Sequence, residues 1–267
     1  MVRQPAVAGQ FYPGAPGELA AQVQEFMKVE AEPEPALMVV SPHAGYMYSG
    51  RTAGQVVGRV QVPPRVILAG PNHRGLGAQA ALMTQGQWET PLGLVSLDTE
   101  LASQILGRSR LLEEDTLAHQ FEHSLEVQVP FLQARRPDLK LTPLCLGSLS
   151  YAACQEIGQA LAQAIQALGE PVLLVASTDM SHYEPAEAAR EKDMKAIEHI
   201  LALDPQGLYD TVRNLGITMC GVLPTTVCLV AAKHLGAEKA ELVEYTNSGA
   251  ATGDYRQVVG YAGLIVK

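Results

Sequence analysis

The feature of this sequence that most constrains its fold is the alternation of short apolar segments with longer amphipathic ones. Segments of strand length, bounded by turn residues, occupy 36–41, 65–70, 78–83, 141–146, 171–177, 240–245 and 258–266. Segments with helical spacing occupy 16–28, 50–60, 99–106, 120–134, 150–168, 186–203 and 224–235. Alternating strands and helices predict an α/β fold with a mostly parallel central sheet and helices on both faces. Several of the strands are continuously apolar, as expected where both faces of a sheet are covered.

Length and composition exclude several classes of protein. The 267 residues are 47% apolar and carry a net charge of −9, which we interpret as a single domain spanning 1–267 rather than a disordered chain. The longest apolar runs, 172–176 and 227–232, are far shorter than the roughly 20 residues of a membrane span. An acidic chain without a basic stripe disfavours nucleic-acid binding.

The four cysteines show no CxxC spacing, and the opening residues lack the apolar segment of a secretion signal. We therefore expect reduced thiols in a cytoplasmic protein. Cys145, Cys154 and Cys228 lie in apolar segments and are predicted to be core residues. Cys220 instead precedes a predicted helix, whose N-terminus should lower the pKa of its thiol and favour a thiolate.

Chemically competent side chains follow three of the predicted strands. They are His43 after 36–41, His73 after 65–70, and Asp179 and His182 after 171–177. Because ligands collect beyond the carboxyl ends of parallel strands, we expect these residues to converge at one edge of the sheet.

A second interpretation comes from the sequence His119-Gln120-Phe121-Glu122-His123, which matches the H-x-x-E-H pattern of inverzincin proteases. On a continuous helix, His119 and His123 would share one face and bind zinc, with Glu122 as the base. The pattern is short and also needs a third ligand downstream, which the sequence does not clearly supply.

Seven blocks of the sequence, taken in order, resemble the Memo family. They are 3–13 (RQPAVAGQFYP), 41–46 (SPHAGY), 70–73 (GPNH), 122–126 (EHSLE), 177–183 (STDMSHY), 219–221 (MCG) and 253–262 (GDYRQVVGYA). The blocks extend over essentially the whole chain. Bacterial and archaeal members of this family are known as the B component of the AmmeMemoRadiSam system.

The resemblance implies a fold similar to that of the LigB-type class III extradiol dioxygenases, and it implies roles for particular residues. His43, His73 and Cys220 match the two-histidine, one-cysteine metal position of the family. His182 matches the dioxygenase general base, Asp179 lines the same site, and His123 matches a further active-site histidine. A cysteine in place of the carboxylate ligand of the dioxygenases favours iron or copper, with zinc as a further candidate.

The resemblance, together with the residues that carry it, implies three alternative functions. The first is a dioxygenase-like, metal-dependent oxidoreductase of unknown substrate, in which His182, oriented by Asp179, moves a proton. The second is a non-catalytic module that binds a small molecule or peptide and acts with AMMECR-type and radical-SAM proteins. The third, hydrolysis by a zinc-bound water at the same site, is the least favoured.

Overall fold

A twelve-stranded mixed sheet runs through the computed structural model, which describes residues 1–267. The strands are β1 (Val2–Arg3), β2 (Met38–Ser41), β3 (Arg65–Pro71), β4 (Ala80–Leu82), β5 (Gln87–Thr90), β6 (Gly93–Leu97), β7 (Glu113–Glu114), β8 (Lys140–Leu146), β9 (Val172–Ser177), β10 (His182–Glu184), β11 (Ala240–Asn247) and β12 (Val258–Val266). The helices are α1 (Pro16–Phe26), α2 (Arg51–Gly58), α3 (Thr99–Leu106), α4 (His123–Glu126), α5 (Val129–Arg135), α6 (Tyr151–Leu168), α7 (Ala186–Leu201), α8 (Pro205–Asn214), α9 (Val222–His234) and α10 (Gly249–Thr252).

The centre of the sheet is parallel and its margins are mixed. Strands β6, β8, β3, β9 and β2 lie side by side in that order and are all parallel. Strand β12 continues the sheet antiparallel to β2, and both β10 and β11 pair antiparallel with β12. The predicted fold class, α/β with a mostly parallel central sheet, is therefore confirmed.

Apolar side chains pack on both faces of the sheet, as the continuous apolar strands predict. In β3, Ile67 and Ala69 join the larger of two cores, whereas Val66 and Leu68 join the other. This alternation follows from the two-residue period of a strand. Helices α3, α6, α7, α8 and α9 contribute to the larger core, and α1, α2 and α5 to the smaller one.

The predicted helix at 120–134 is wrong, because the chain forms two short helices there. Glu122 has an extended backbone conformation (φ −81°, ψ 124°) and caps α4, so no helix continues from His119 through this position. Pro130 then lies in the first turn of α5, where its missing N–H leaves no hydrogen bond unmade.

Three neighbouring parallel strands position the candidate site. Ser41 of β2 pairs with Ser177 of β9, and β3 lies on the other side of β9. The loops that follow β2, β3 and β9 therefore leave the sheet at the same edge. None of the helices combines the length and the apolar character needed to cross a bilayer.

Candidate metal site

Three histidines meet at this edge of the sheet. His43 follows β2, His73 follows β3, and His123 begins α4, and the ligand atoms that the three side chains offer all lie within 4.8 Å of one another. The rings of His73 and His123 stack with their centroids 4.7 Å apart, and the His43 ring meets both nearly edge-on. His43 is 2% exposed, whereas the side chains of His73 and His123 are 30% and 19% exposed, so one side of the cluster opens to the surface.

Cys220 comes to the same cluster from a distant part of the chain. Its Sγ lies 3.2 Å from Nε2 of His43 and accepts a hydrogen bond from the backbone N–H of Asp179 at 3.2 Å. Gly221 allows this approach, since a Cβ atom there would collide with the carbonyl oxygen of Ser177 and the side chain of Thr178. Of the three predicted metal ligands, the structure thus places Cys220 next to His43 and His43 close to His73; the mutually close ligand atoms are those of His43, His73 and His123, a group that does not include Cys220.

The expectation of a lowered pKa at Cys220 is wrong. Burial, together with the nearby carboxyl group of Asp179, raises the pKa of the Cys220 thiol well above its ordinary value. The N-terminus of α9 does not compensate for the desolvation of a thiolate at this position. The other three cysteines are free and buried in β8, α6 and α9, as predicted.

Asp179 lies directly behind His43. Its Oδ1 accepts a hydrogen bond of 2.7 Å from the backbone N–H of His43. Burial raises the pKa of Asp179 to about 7, against the opposing effect of this hydrogen bond and of the charge at His73. The carboxyl group of Asp179 therefore links the loop after β9 to the loop after β2. The backbone N–H of the same residue donates the hydrogen bond to Cys220.

His182 lies at the margin of the cluster, on β10. Its backbone N–H donates to Oγ1 of Thr218 at 2.7 Å, and its Nδ1 lies 3.0 Å from the carbonyl oxygen of Thr218. A carbonyl only accepts, so Nδ1 carries the proton and Nε2 is the basic nitrogen. The predicted orientation of His182 by Asp179 is replaced by orientation through Thr218.

Glu122 is a buried carboxylate that supports two of the histidines. Its Oε1 lies 2.9 Å from Nδ1 of His73 and 3.5 Å from Nδ1 of His123, and its Oε2 accepts from the backbone N–H of His73 at 2.7 Å. Burial opposes its charge, but the hydrogen bond and positive charge of His73 and the N–H of Ser124 outweigh it and hold the pKa of Glu122 at about 2.

The imidazoles of His43 and His123 are kept neutral. Burial lowers the pKa of His43 well below its ordinary value, and the neighbouring histidines lower it further. Burial also lowers the pKa of His123 to about 4, despite the nearby carboxylate of Glu122. Neutral imidazole is the form that ligates metals, so His43 and His123 offer nitrogen lone pairs at neutral pH.

The H-x-x-E-H interpretation is contradicted by the structure. His119 ends a short 3-10 turn and is fully buried, with Nε2 3.2 Å from the carbonyl oxygen of Ala81 and its ring against Trp88. His123 instead begins α4 and faces His43 and His73. The break at Glu122 therefore separates the two histidines that a zinc protease would need on one helix face.

Sequence reasoning missed the polar groups that support the histidines. Ser177 lies within hydrogen-bond distance of His43, and Gln128 donates to Ser177. Thr218 lies within hydrogen-bond distance of His182. Ser177 lies within the block 177–183 and Thr218 directly precedes the block 219–221, so the resemblance to the Memo family could have indicated both residues. Gln128 has no such signal, because nothing in its local sequence distinguishes it from a surface glutamine on a helix.

Comparison with known proteins agrees with the resemblance found in the sequence. The model of the family described as Memo-like protein matches residues 3–265. A MEMO1 family protein of Aquifex aeolicus is 44% identical over 268 residues, covering 99% of this chain and 98% of the relative. A MEMO1 family protein of Methanopyrus kandleri is 41% identical over 281 residues, covering 100% of this chain and 99% of the relative.

A solved structure supports the fold. The crystal structure of an uncharacterized protein from Escherichia coli K12 superimposes with a TM-score of 0.55 at 17% sequence identity, covering 86% of this chain and 99% of the other. At this identity the likeness concerns the fold alone. The full-length family match and the relatives above 40% identity establish that this chain belongs to the Memo family.

Proposed function

We propose that this protein is a metal-dependent, dioxygenase-like oxidoreductase that holds one iron or copper ion through His43, His73 and Cys220. The observation that carries the proposal is the convergence of three imidazoles, with ligand atoms within 4.8 Å of one another, beside a thiol 3.2 Å from Nε2 of His43. Three protein ligands leave further coordination positions open, an arrangement typical of catalytic rather than structural sites.

The chemistry of the donor atoms fits such an ion. Imidazole nitrogens suit iron, copper and zinc, and a cysteine sulfur adds preference for copper or for a more electron-rich iron. His73 is backed by the ionised Glu122, as metal-ligating histidines commonly are by a carboxylate. His123 lacks so short a contact, since its Nδ1 lies 3.5 Å from the same carboxylate, and we assign it to the substrate side of the site.

The roles of the remaining residues follow from their hydrogen bonds. A bound iron or copper ion would supply electron transfer and a positive charge to an anionic substrate. His182 presents Nε2 as the proton acceptor, because Thr218 occupies its Nδ1. His123, neutral because of burial, donates a hydrogen bond to a developing oxyanion. Asp179 holds the backbone of His43 in place.

Metal content measures the proposal directly. We expect about one iron or copper ion per chain after anaerobic, chelator-free purification, and loss of that ion in a His43→Ala/Cys220→Ser variant. A His234→Ala/Cys154→Ser variant is the matched control, because it removes the same residue types from a helix end and a core helix. Absence of metal from the wild-type protein, even after reconstitution, would refute the proposed oxidoreductase function. Zinc alone would favour hydrolysis instead.

The role of His182 has a separate test. We expect His182→Ala to retain the metal and to lose O₂ uptake with any substrate that the wild-type protein oxidises. An unchanged rate of O₂ uptake in this variant would remove His182 from the mechanism while leaving the metal site intact.

A non-catalytic binding role is the second candidate, favoured by exposed aromatic side chains near the cluster. Tyr183, next to His182, is 74% exposed and holds a positive φ of 58°, a strained conformation of a kind that clusters at functional sites. Tyr48, five residues after His43, is 37% exposed. For this role we propose a cytoplasmic protein that acts with AMMECR-type and radical-SAM proteins. Co-purification that survives removal of metal would favour this role.

A further inference from the structure

The single hydroxyl proton of Ser177 is donated in one hydrogen bond. Its Oγ lies 2.6 Å from the carbonyl oxygen of Ser124, which can only accept a hydrogen bond. The same Oγ accepts a hydrogen bond of 2.9 Å from Nε2 of Gln128. Toward His43, whose Nδ1 lies 3.0 Å away, the hydroxyl is therefore an acceptor.

The orientation of Gln128 is equally fixed. Its Nε2 donates to the carbonyl oxygen of Pro42 at 2.8 Å as well as to Ser177, and its Oε1 accepts from Oγ of Ser41 at 2.8 Å. Reversing the amide would place two oxygens against each other at Pro42. Gln128, Ser177 and Ser41 are each at most 1% exposed, so no bulk water competes for these hydrogen bonds.

From these contacts we propose that Ser177 and Gln128 are positioning residues that fix the tautomer of His43, with the proton on Nδ1 and the lone pair on Nε2. Nε2 is the nitrogen that faces Cys220 at 3.2 Å and joins the candidate metal site. The inference rests on the proposed metal site, and it extends that site from the ligands to the buried polar residues behind them. Glu122 does the same for His73 through a charged acceptor.

The tautomer itself is measurable without metal. Two-bond ¹⁵N–¹H correlation spectra of chelator-treated protein labelled at histidine distinguish a protonated Nδ1 from a protonated Nε2, and a His43→Gln variant assigns the signal. We expect a protonated Nδ1 in the wild-type protein and a mixture of tautomers in Ser177→Ala. Ser49→Ala is the matched control, since Ser49 is also buried in this region but bonds only to the carbonyl of Ala44.

Metal affinity gives the second readout. In competition with a chromophoric chelator, we expect Ser177→Ala to bind Co²⁺ about 10–100-fold more weakly than the wild-type protein, the range found when such supporting hydrogen bonds are removed. Gln128→Met keeps the Ser177 hydroxyl but removes the donor that holds its orientation, so it should lose part of the protonated Nδ1 population of His43 and a smaller part of the affinity. It also serves if Ser177→Ala does not fold.

The outcomes separate this inference from the function on which it rests. If His43→Gln binds Co²⁺ as tightly as the wild-type protein, the proposed metal site is wrong. If His43→Gln loses the metal while Ser177→Ala and Gln128→Met both keep wild-type affinity and a protonated Nδ1, the metal site stands and the positioning role is overturned.

Discussion

Replacing Arg3 should destabilise the protein far more than removing an exposed charge. The guanidinium is 4% exposed and donates to Oε2 of Glu126 at 2.7 Å, to the carbonyl oxygen of His119 at 2.6 Å and to that of Glu122 at 2.8 Å. It also stacks 4.3 Å from the ring centre of Trp88. One side chain thus joins the N-terminal strand to the loop that carries Glu122 into the metal site.

The magnitude follows from what Arg3→Met leaves behind. Removing one partner of a buried ion pair costs about 3–5 kcal/mol, because the remaining charge stays desolvated. Glu126 keeps hydrogen bonds from the N–H groups of Ala6 and Val7 and from the hydroxyl of Tyr12, which limits the loss to that range. For a chain of this length each kcal/mol lowers the Tm by about 2 °C, so we expect a decrease of about 6–10 °C.

Thermal unfolding followed by circular dichroism measures this decrease. Lys28→Met is the control, because it removes an ion pair with Glu25 in which both side chains are more than 60% exposed. A Tm for Arg3→Met within about 2 °C of that of Lys28→Met would refute the argument that the buried pair governs this effect.

Three further predictions follow from the structure. Gly158→Ala should lower the free energy of unfolding by about 1–3 kcal/mol in urea titrations, because its Cβ would lie 2.7 Å from the carbonyl oxygen of Val227 across the α6–α9 contact; an unchanged midpoint would contradict this. Burial raises the pKa of Asp193 above 3.8, so the protonated carboxyl stabilises the fold, and this contribution is lost as the pH rises through the raised pKa. Asp193→Asn should therefore show a smaller decrease of the Tm with rising pH than the wild-type protein. An equal pH dependence of the Tm in the two proteins would contradict this prediction. Metal ion at 100 times its Kd should stabilise the wild-type protein by about 2.7 kcal/mol, or about 5 °C, and should not stabilise His43→Ala; equal shifts in the two proteins would exclude His43 as a ligand.

The parallel centre of the sheet was predictable because burial on both faces leaves a strong signal. A strand covered on both sides must be apolar at every position, and such a run is visible in a single sequence. The segments predicted at 65–70 and 171–177 correspond to β3 (Arg65–Pro71) and β9 (Val172–Ser177). Burial of both strands is nearly complete.

The margins of the sheet lacked that signal. Strands β5 and β6 alternate between buried and exposed residues and are short, and Gly93 provides the positive φ of 119° that starts the return strand. Helix α8 (Pro205–Asn214) follows α7 after three residues and buries only four residues, so its short apolar face was not predicted as a separate helix. In both places tertiary pairing rather than local pattern decides the structure.

Some residues of the candidate site could likewise be predicted from the sequence pattern, and others could not. His43 and His73 could be expected to meet, because each follows a buried parallel strand and such strands end at one edge of a sheet. Cys220 and His123 required the family resemblance, since they lie far from those strands in sequence. The residues that hold the imidazoles in place are polar side chains whose partners lie about 50 or more positions away, as between Ser177 and Ser124 or between Gln128 and Pro42.

His119 and His123 show why spacing alone does not define a metal site. Four residues apart, they would share a face only if the backbone between them were helical. Glu122 prevents this, because its extended backbone lets its carboxylate accept hydrogen bonds from Ser124 and from both N–H groups of His73. The carboxylate that supports a histidine of the candidate site is thus also the group that breaks the helix, and it sends His119 into the core and His123 into the site.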